Sequence, residues 1–165
     1  MSQRKGLADL FDAFRKLKTQ KAELQILGAT MMPMGFYRSF GVGFKHHPPC
    51  SHQRFLAQMA RCDVLVLPSI VEGRALVQQE AMSQGLPILV TPNAGGEDLV
   101  LEEQTGLLVE PGKPDLLAEK MEWFIRHRHR LPSMRKAAQE LAANYSWTNY
   151  ANSIIDKGFA VERTP

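Results

Sequence analysis

The chain has 165 residues, 44% of them hydrophobic, with 20 Lys and Arg against 17 Asp and Glu for a net charge of +3. That length fits one domain, residues 1–165, at roughly 100–200 residues per domain, and the apolar share excludes wholesale disorder. The small basic excess gives no electrostatic footprint for nucleic acid, and no apolar run approaches the ~20 residues of a membrane span.

The N-terminal MSQRKGLADL lacks the apolar stretch of a secretory signal. Cys50 and Cys62 show neither CxxC nor zinc-ligand spacing. They are read as reduced thiols of a cytoplasmic protein, Cys62 being buried ahead of a strand, and no metal is expected. Leu7, Leu10, Phe11, Phe14 and Leu17 share one face at helical spacing, so a helix is predicted over 7–18. With no strand before it, the chain reads as a piece of a longer protein or as a domain missing its first strand. ELQIL, residues 23–27, reads as a strand ended by Gly28. Residues 29–40 have no period and read as a loop with one short turn, their methionines filling gaps. A strand is predicted over Val42–Lys45, broken by His46, His47, Pro48 and Pro49. Two adjacent histidines on an extended chain point opposite ways, which disfavours a metal site.

Ser51 is expected to cap a helix through Arg61, with Phe55, Leu56 and Met59 inward. Val64–Leu67 is an apolar strand, followed by a helix from about Ala75 to Gln84, with Gly85 as C-cap and Pro87 as stop. Ile88–Val90 is a further strand, then TPNAGGEDLV turns into a short helix. A strand after Thr105 and helices over Asp115–Arg130, Pro132–Asn144 and from Ser146 onward complete the pattern, with the VERTP tail frayed. Trp147 and Tyr150 are expected to anchor the last helix in the core. The run RHRHR, Arg126–Arg130, wraps several faces of its helix and reads as a solvated helix end.

Alternating strands and helices predict an α/β fold, a parallel sheet with helices on both faces. Ligands of such sheets bind beyond the carboxyl ends of the strands. The loops rich in Gly, Pro, Ser and Glu fall there, at Gly28, Lys45–Pro49, Pro68–Gly73 and Thr91–Gly96. In the second half of that set, Gly73 permits close backbone approach, a helix starting near Arg74 or Ala75 offers free N–H groups to an anion, and Arg74 adds charge. Glu80 on that helix can accept hydrogen bonds from a diol, although alone it reads as a solvated helix residue. Lys5, before the first helix, can meet a phosphate as a point charge.

Taken together, Lys5-Gly6-Leu7, ELQILG, DVLVLPS, EGRALVQQEAMSQGLPILVT, GGEDLV, TGLLVEPGKPDLLAEKM and YSW cover nearly the whole chain. In this order they resemble the C-terminal, nucleotide-sugar-binding domain of retaining GT-B glycosyltransferases of group 1, family 4. The resemblance implies a Rossmann-like three-layer α/β/α domain, the C-terminal half of a GT-B fold. It also implies transfer of a hexose from a nucleotide diphosphate sugar of UDP or GDP type, with no cofactor and no metal. Glu72 would contact the transferred sugar as the catalytic carboxylate, and Lys5 would bind the diphosphate. The amides of Gly73, Arg74 and Ala75 would face sugar or phosphate, with Leu76 and Val77 flanking ribose or phosphate and Glu80 binding the ribose hydroxyls. The backbone at Lys45, His46 and His47 would lie near the base.

Gly73-Arg74-Ala75 stands where the family carries Gly-Phe-Gly, and the family's acceptor-binding N-terminal domain is not in this sequence. Peripheral membrane contact at the inner face would fall to that absent domain. The isolated domain is expected to transfer little. A non-catalytic nucleotide-binding or scaffold module of GT-B origin is the alternative, and Arg74 and Ala75 are its support.

Overall fold

In the computed structural model of the chain, residues 1–159 are described apart from Lys18 and Gln20, and of Trp147 and residues 156–159 only the backbone. Ile88–Val90 forms a strand, here β4, with all three residues buried. A continuous apolar run of this kind suits a strand covered on both faces. Its side chains alternate as a strand requires. Leu89 joins a core with Ala13, Leu117 and Phe124, while Ile88 and Val90 join one with Met82, Leu99 and Ala138.

β4 pairs in parallel with β3 (Leu65–Leu67) on one side and with β5 (Gly106–Leu108) on the other. A second parallel pair joins β1 (Gln25–Leu27) to β2 (Lys45–His47). Among the described residues no ladder connects β1 to β3. Both pairs nevertheless lie in one layer, since Ile26 of β1 and Val66 of β3 pack into the same core. The expected α/β architecture, a parallel sheet between helices, is therefore what the chain adopts.

Helices close both faces. α1 (Leu7–Lys16) buries Leu10, Phe11 and Ala13 and lies against α5 (Pro114–Arg126), with Lys16 paired to Asp115 across that contact and to Asp12 on its own helix. On the other face α3 (His52–Met59) and α4 (Val77–Ser83) enclose Met59, Ala81 and Leu86, and α6 (Leu131–Ala143) packs on α4. No helix among the described residues is long and apolar enough to cross a membrane.

Several boundaries differ from the sequence reading. α1 is helical to Lys16, and Lys18 lies outside the described residues. The strand expected over 42–45 is displaced to Lys45–His47. Pairing with Gln25–Leu27 selects that register, and each imidazole finds a partner on its own side, His46 with Gly28 O and His47 with Gln25 and Gln58. The histidines do point opposite ways. The aperiodic segment 29–40 contains a short helix, α2 (Met34–Arg38), held by buried Tyr37, whose hydroxyl accepts from the amides of Met31 and Met32 and donates to Met1 O. Met31 is 73% exposed, so it fills no gap.

α4 begins at Val77, later than expected. α5 stops at Arg126, and the basic run continues as a short 3-10 turn, Arg128–Arg130. Its last member is not merely solvated. Arg130 pairs with the Glu103 carboxylate, donates to Glu103 O and lies over the Trp123 ring. Glu103 has φ 59, a costly conformation for a non-glycine residue that the surrounding contacts hold. Ser146 caps α7 (Trp147–Phe159), accepting from the Asn149 amide. Tyr150, expected in the core, is 60% exposed, as are about half of Ile154 and Ile155, at 53% and 52%. The Trp147 side chain and the VERTP tail lie outside the described residues. Cys62, expected to be buried, is half-buried, and that burial pushes its thiol up, whereas Cys50 is exposed.

One buried hydroxyl fixes the segment between β4 and β5. Thr105 Oγ1 donates to Leu99 O and accepts from the Leu101 amide, both at 2.8 Å. Thr105→Val keeps the shape and strands both backbone groups. The expected cost is roughly 1–3 kcal/mol, read as a melting temperature lowered by about 2–4 °C per kcal/mol. An unchanged melting temperature would refute the clamp.

Candidate functional site

Parallel pairing sends the loops after β1, β2, β3 and β4 to one edge of the sheet. Polar contacts then bind these loops to each other. Thr91 Oγ1 donates to Ser69 O at 2.6 Å, and Asn93 Nδ2 donates to Ile70 O at 2.7 Å. The Ile70 amide donates in turn to Arg4 O at 2.9 Å. Gln78 is buried at the base of the cluster, its amide donating to Ala94 O at 2.8 Å and Ala75 O at 3.3 Å. Gly96 makes room for it, since a Cβ there would stand 2.0 Å from Gln78 Oε1.

Lys5 and Glu72 come from remote parts of the sequence and meet at this edge. Gly6 makes the meeting feasible. It has φ 69, and a Cβ would lie 1.9 Å from Pro68 O, so only glycine lets the start of α1 lie on the end of β3. Lys5 Nζ then stands 2.6 Å from Glu72 Oε2, a close ion pair whose angles fall outside hydrogen-bond geometry, and Arg4 Nη2 stands 3.8 Å from Oε1. The Glu72 side chain is 14% exposed. The Lys5 ammonium holds its carboxyl below the usual glutamate range, against the opposing effect of burial, with Arg4 adding to the pull.

The residues after Glu72 split into exposed and engaged positions. Gly73 is exposed with open space where a side chain would be, and Leu76 is exposed too. Ala75 is buried and its amide donates to Ala94 O, while Val77 packs inward as the first residue of α4. The helix N-terminus expected at Arg74 or Ala75 lies instead at Val77, and the Ala75 amide, already bonded to a backbone acceptor, is not free for an anion. Arg74 is engaged as well. Its guanidinium makes a bidentate pair with Asp98, at 3.1 and 2.9 Å, and lies 5.3 Å from the Tyr145 ring centroid. Tyr145 donates to the same carboxylate at 2.8 Å. Arg74 holds Asp98 below the usual carboxylate range, and burial together with Asp98 raises the Tyr145 phenol.

Glu80 lies within α4, partly exposed, with Oε1 3.7 Å from His52 Nδ1. His52 opens α3, directly after the β2 loop, so Glu80 looks toward that loop. His46 and His47 end β2 at the site edge. Lys45 opens the strand, roughly 7 Å back at about 3.3 Å per residue, and its ammonium pairs with Glu23 instead. The sequence reading missed Arg4, Asp98, Tyr145 and His52. Arg4 carried a signal in its position beside Lys5. Asp98 and Tyr145 sat within quoted motifs but gave no hint of pairing with Arg74, 24 residues away in the case of Asp98.

Against known proteins, residues 1–141 match the family described as glycosyl transferases group 1. The chain is 30% identical over 112 residues to the D-inositol 3-phosphate glycosyltransferase of Corynebacterium urealyticum, covering 68% of this chain and 26% of that protein. Among solved structures it is similar to the C-terminal domain of the group 1 glycosyl transferase LpcC from Francisella tularensis. The TM-score is 0.74 at 18% identity, over 88% of this chain and 81% of that one. It is also similar to Anabaena Alr3699/HepE in complex with UDP-glucose, with TM-score 0.78 and 22% identity over 98% of this chain and 46% of that one. The chain spans about a quarter of the length of the corynebacterial relative and less of others. With its parallel α/β architecture and the match running through Lys5, Glu72 and Glu80, the chain belongs to the group 1 glycosyl transferase family.

Proposed function

We propose that this chain is the donor-binding part of a retaining glycosyltransferase that moves a hexose from a UDP- or GDP-type sugar to an acceptor held by an N-terminal domain. The observation that carries the reading is the Lys5–Glu72 pair at the edge where the strand loops converge. Departure of a nucleoside diphosphate builds negative charge, and cations fixed in a partly dry site are the effective means of stabilising it. Lys5, with Arg4 beside it, supplies that charge. A diphosphate competes with Glu72 for the Lys5 ammonium, and the released carboxylate then accepts hydrogen bonds from hydroxyls of the sugar.

Exposed Gly73 and Leu76 border the donor, with Val77 behind them, and Glu80 accepts from the ribose diol near the backbone of His46 and His47. Arg74 and Ala75 serve differently from the sequence expectation. Arg74 fastens the loop to Asp98 and Tyr145, and Ala75 fills the space beneath it. The loop's departure from the family pattern is thus matched by contacts of its own, which favours the transferase over the scaffold alternative.

Isothermal calorimetry with UDP and GDP tests the donor site, and binding of neither to folded protein would overturn it. Glu80→Ala is expected to weaken the better nucleotide at least tenfold, as loss of hydrogen bonds to a charged group worth about 1.5–3 kcal/mol predicts, while the melting temperature barely moves. Glu72→Gln in the full-length enzyme is expected to depress transfer far more than nucleotide affinity, and equal losses would contradict the sugar-facing role. Acid titration examines the ion pair. Glu72 has a lowered folded pKa, so its stabilising contribution is complete above the ordinary value of 4.5 and is lost as pH falls through the lowered one. Urea midpoints of the chain and of Lys5→Met should therefore differ above pH 4.5 and converge on further acidification.

A further inference from the structure

Residues 24–62, which run from β1 through α2 and β2 to just past α3, hold no Asp or Glu, whereas Arg38, Lys45, Arg54 and Arg61 all fall there. The 17 acidic residues of the chain, spread evenly, would place about four in such a stretch. Lys45 is paired with Glu23 from outside it, and among the described residues Arg38, Arg54 and Arg61 have no ion pair.

This basic part of the fold also carries an apolar projection. Met31, Met32 and Phe36 are 73%, 47% and 47% exposed. The hydroxyl of buried Tyr37 accepts from the Met31 and Met32 amides at 3.0 Å each, and Phe36 packs edge-on against Tyr37 and Phe40, with centroids 5.5 Å apart in both pairs. Phe40 in turn meets buried Phe11 of α1 at 5.2 Å. Three large apolar side chains are thus held out to water from a fixed base, with exposed Arg38 two residues beyond Phe36. Contiguous apolar surface displayed in this way marks a contact.

The projection adjoins the candidate site. Tyr37 donates to Met1 O, and Arg4 O accepts from the amides of Ile70 and Val71. The turn that carries Lys5 therefore links the projection to the loop of Glu72, where Val71, 65% exposed, adds further apolar surface.

We infer that this projection docks on an anionic lipid bilayer, Met31, Met32 and Phe36 entering the headgroup region and Arg38 meeting lipid phosphates. Apolar side chains beside cations suit the boundary between acyl chains and anionic headgroups. The arginine stem keeps its charge in water while its neighbours are buried. The lack of carboxylates over 24–62 removes the repulsion an anionic surface would otherwise meet. A nucleic acid would satisfy the arginines but leave two methionines in water, since its sites stack bases on aromatic planes. The docking does not rest on the donor-site reading.

Cosedimentation with vesicles tests it, phosphatidylcholine alone against phosphatidylcholine with about a third phosphatidylglycerol. The chain is expected to pellet with the anionic vesicles only, and to be released by high salt. Met31→Ser/Met32→Ser/Phe36→Ser is expected to cut partitioning at least tenfold, and Arg38→Glu severalfold, with calorimetric affinity for UDP and GDP unchanged in both. If Phe36→Ser lowers the melting temperature, Met31→Ser/Met32→Ser carries the test. Failure to pellet with anionic vesicles overturns the inference. Undiminished pelleting of the serine variant moves the contact to another basic surface, the Arg126–Arg130 run first, and also overturns it. A bimane label on Met31→Cys, in a Cys50→Ser/Cys62→Ser background of the full-length enzyme, should shift to the blue on adding anionic vesicles. A label already shielded without vesicles assigns the projection to the N-terminal domain, or to a second copy if shielding rises with concentration, and either result overturns the bilayer.

Discussion

Parallel pairing of β4 with strands on both sides is the constraint on which the remaining structure depends. β4 is buried on both faces and hydrogen-bonded on both edges, so neither its direction nor its register can change without exposing a core. Parallel neighbours need crossovers, and the crossovers supply the helices that cover the faces. The same direction delivers every strand-to-helix loop to one edge. Site and fold are therefore one consequence, and Gly6 against Pro68 is the point at which they touch. There the chain entering α1 comes close enough to β3 for Lys5 to reach Glu72.

Two kinds of polar contact hold the loops at the two ends of the sheet, and their magnitudes separate their roles. Thr91, Gln78 and Thr105 are buried and bond to backbone. Losing such a bond leaves an unpaired buried group, at about 1–3 kcal/mol each. The ion pairs of Lys5, Arg74 and Arg130 are more exposed, and pairs of that kind contribute about 0–1 kcal/mol in isolation. The neutral bonds thus hold the loops in place, and the charged groups are placed upon them at little cost to stability. The Lys5–Glu72 pair is thus not what holds in place the loop that carries Glu72. Ser69 Oγ and Gln78 Oε1 remain buried without a hydrogen-bond partner beneath the same loops.

Much of this was legible in the sequence because local chemistry and tertiary demand agree there. The Ile88–Val90 run, Gly85 and Pro87 each permit little else, and a parallel sheet between helices is the fold that the alternation of apolar strands and helices foretells, α2 in the aperiodic segment 29–40 excepted. Residues 42–47 were misread because propensity favours Val42–Lys45, whereas the ladder to Gln25–Leu27 decides the register. Strand pairing is a long-range interaction that no short window contains. The bond from the Ala75 amide to Ala94 O, which leaves that amide no freedom to meet an anion, is long-range in the same way. Tyr150, an aromatic residue expected inside, is 60% exposed, since the fold and not the residue type decides which face of a helix is covered. At the site, Glu72 and Glu80 were found through their motif frame. The pairing of Glu72 with Lys5 required the fold.

Arg74 shows how a local departure in sequence becomes a structural asset. An arginine in an exposed loop normally loses more side-chain entropy on pairing than a single contact returns. Here one guanidinium meets Asp98 through two bonds while stacking near Tyr145, and Tyr145 bonds the same carboxylate. Once Asp98 is held by either partner, the second pays less to join it, and planar bidentate geometry suits arginine where lysine would make a single contact. The triad spans three segments, the loop after β3, the turn before β5 and the link from α6 to α7. It fixes the loop carrying Glu72 at a second point besides Lys5. The loop is thereby tied at two points, by an ion pair at Glu72 and by a cross-linked one at Arg74, and Gly73 between them is exposed, with open space where a side chain would stand.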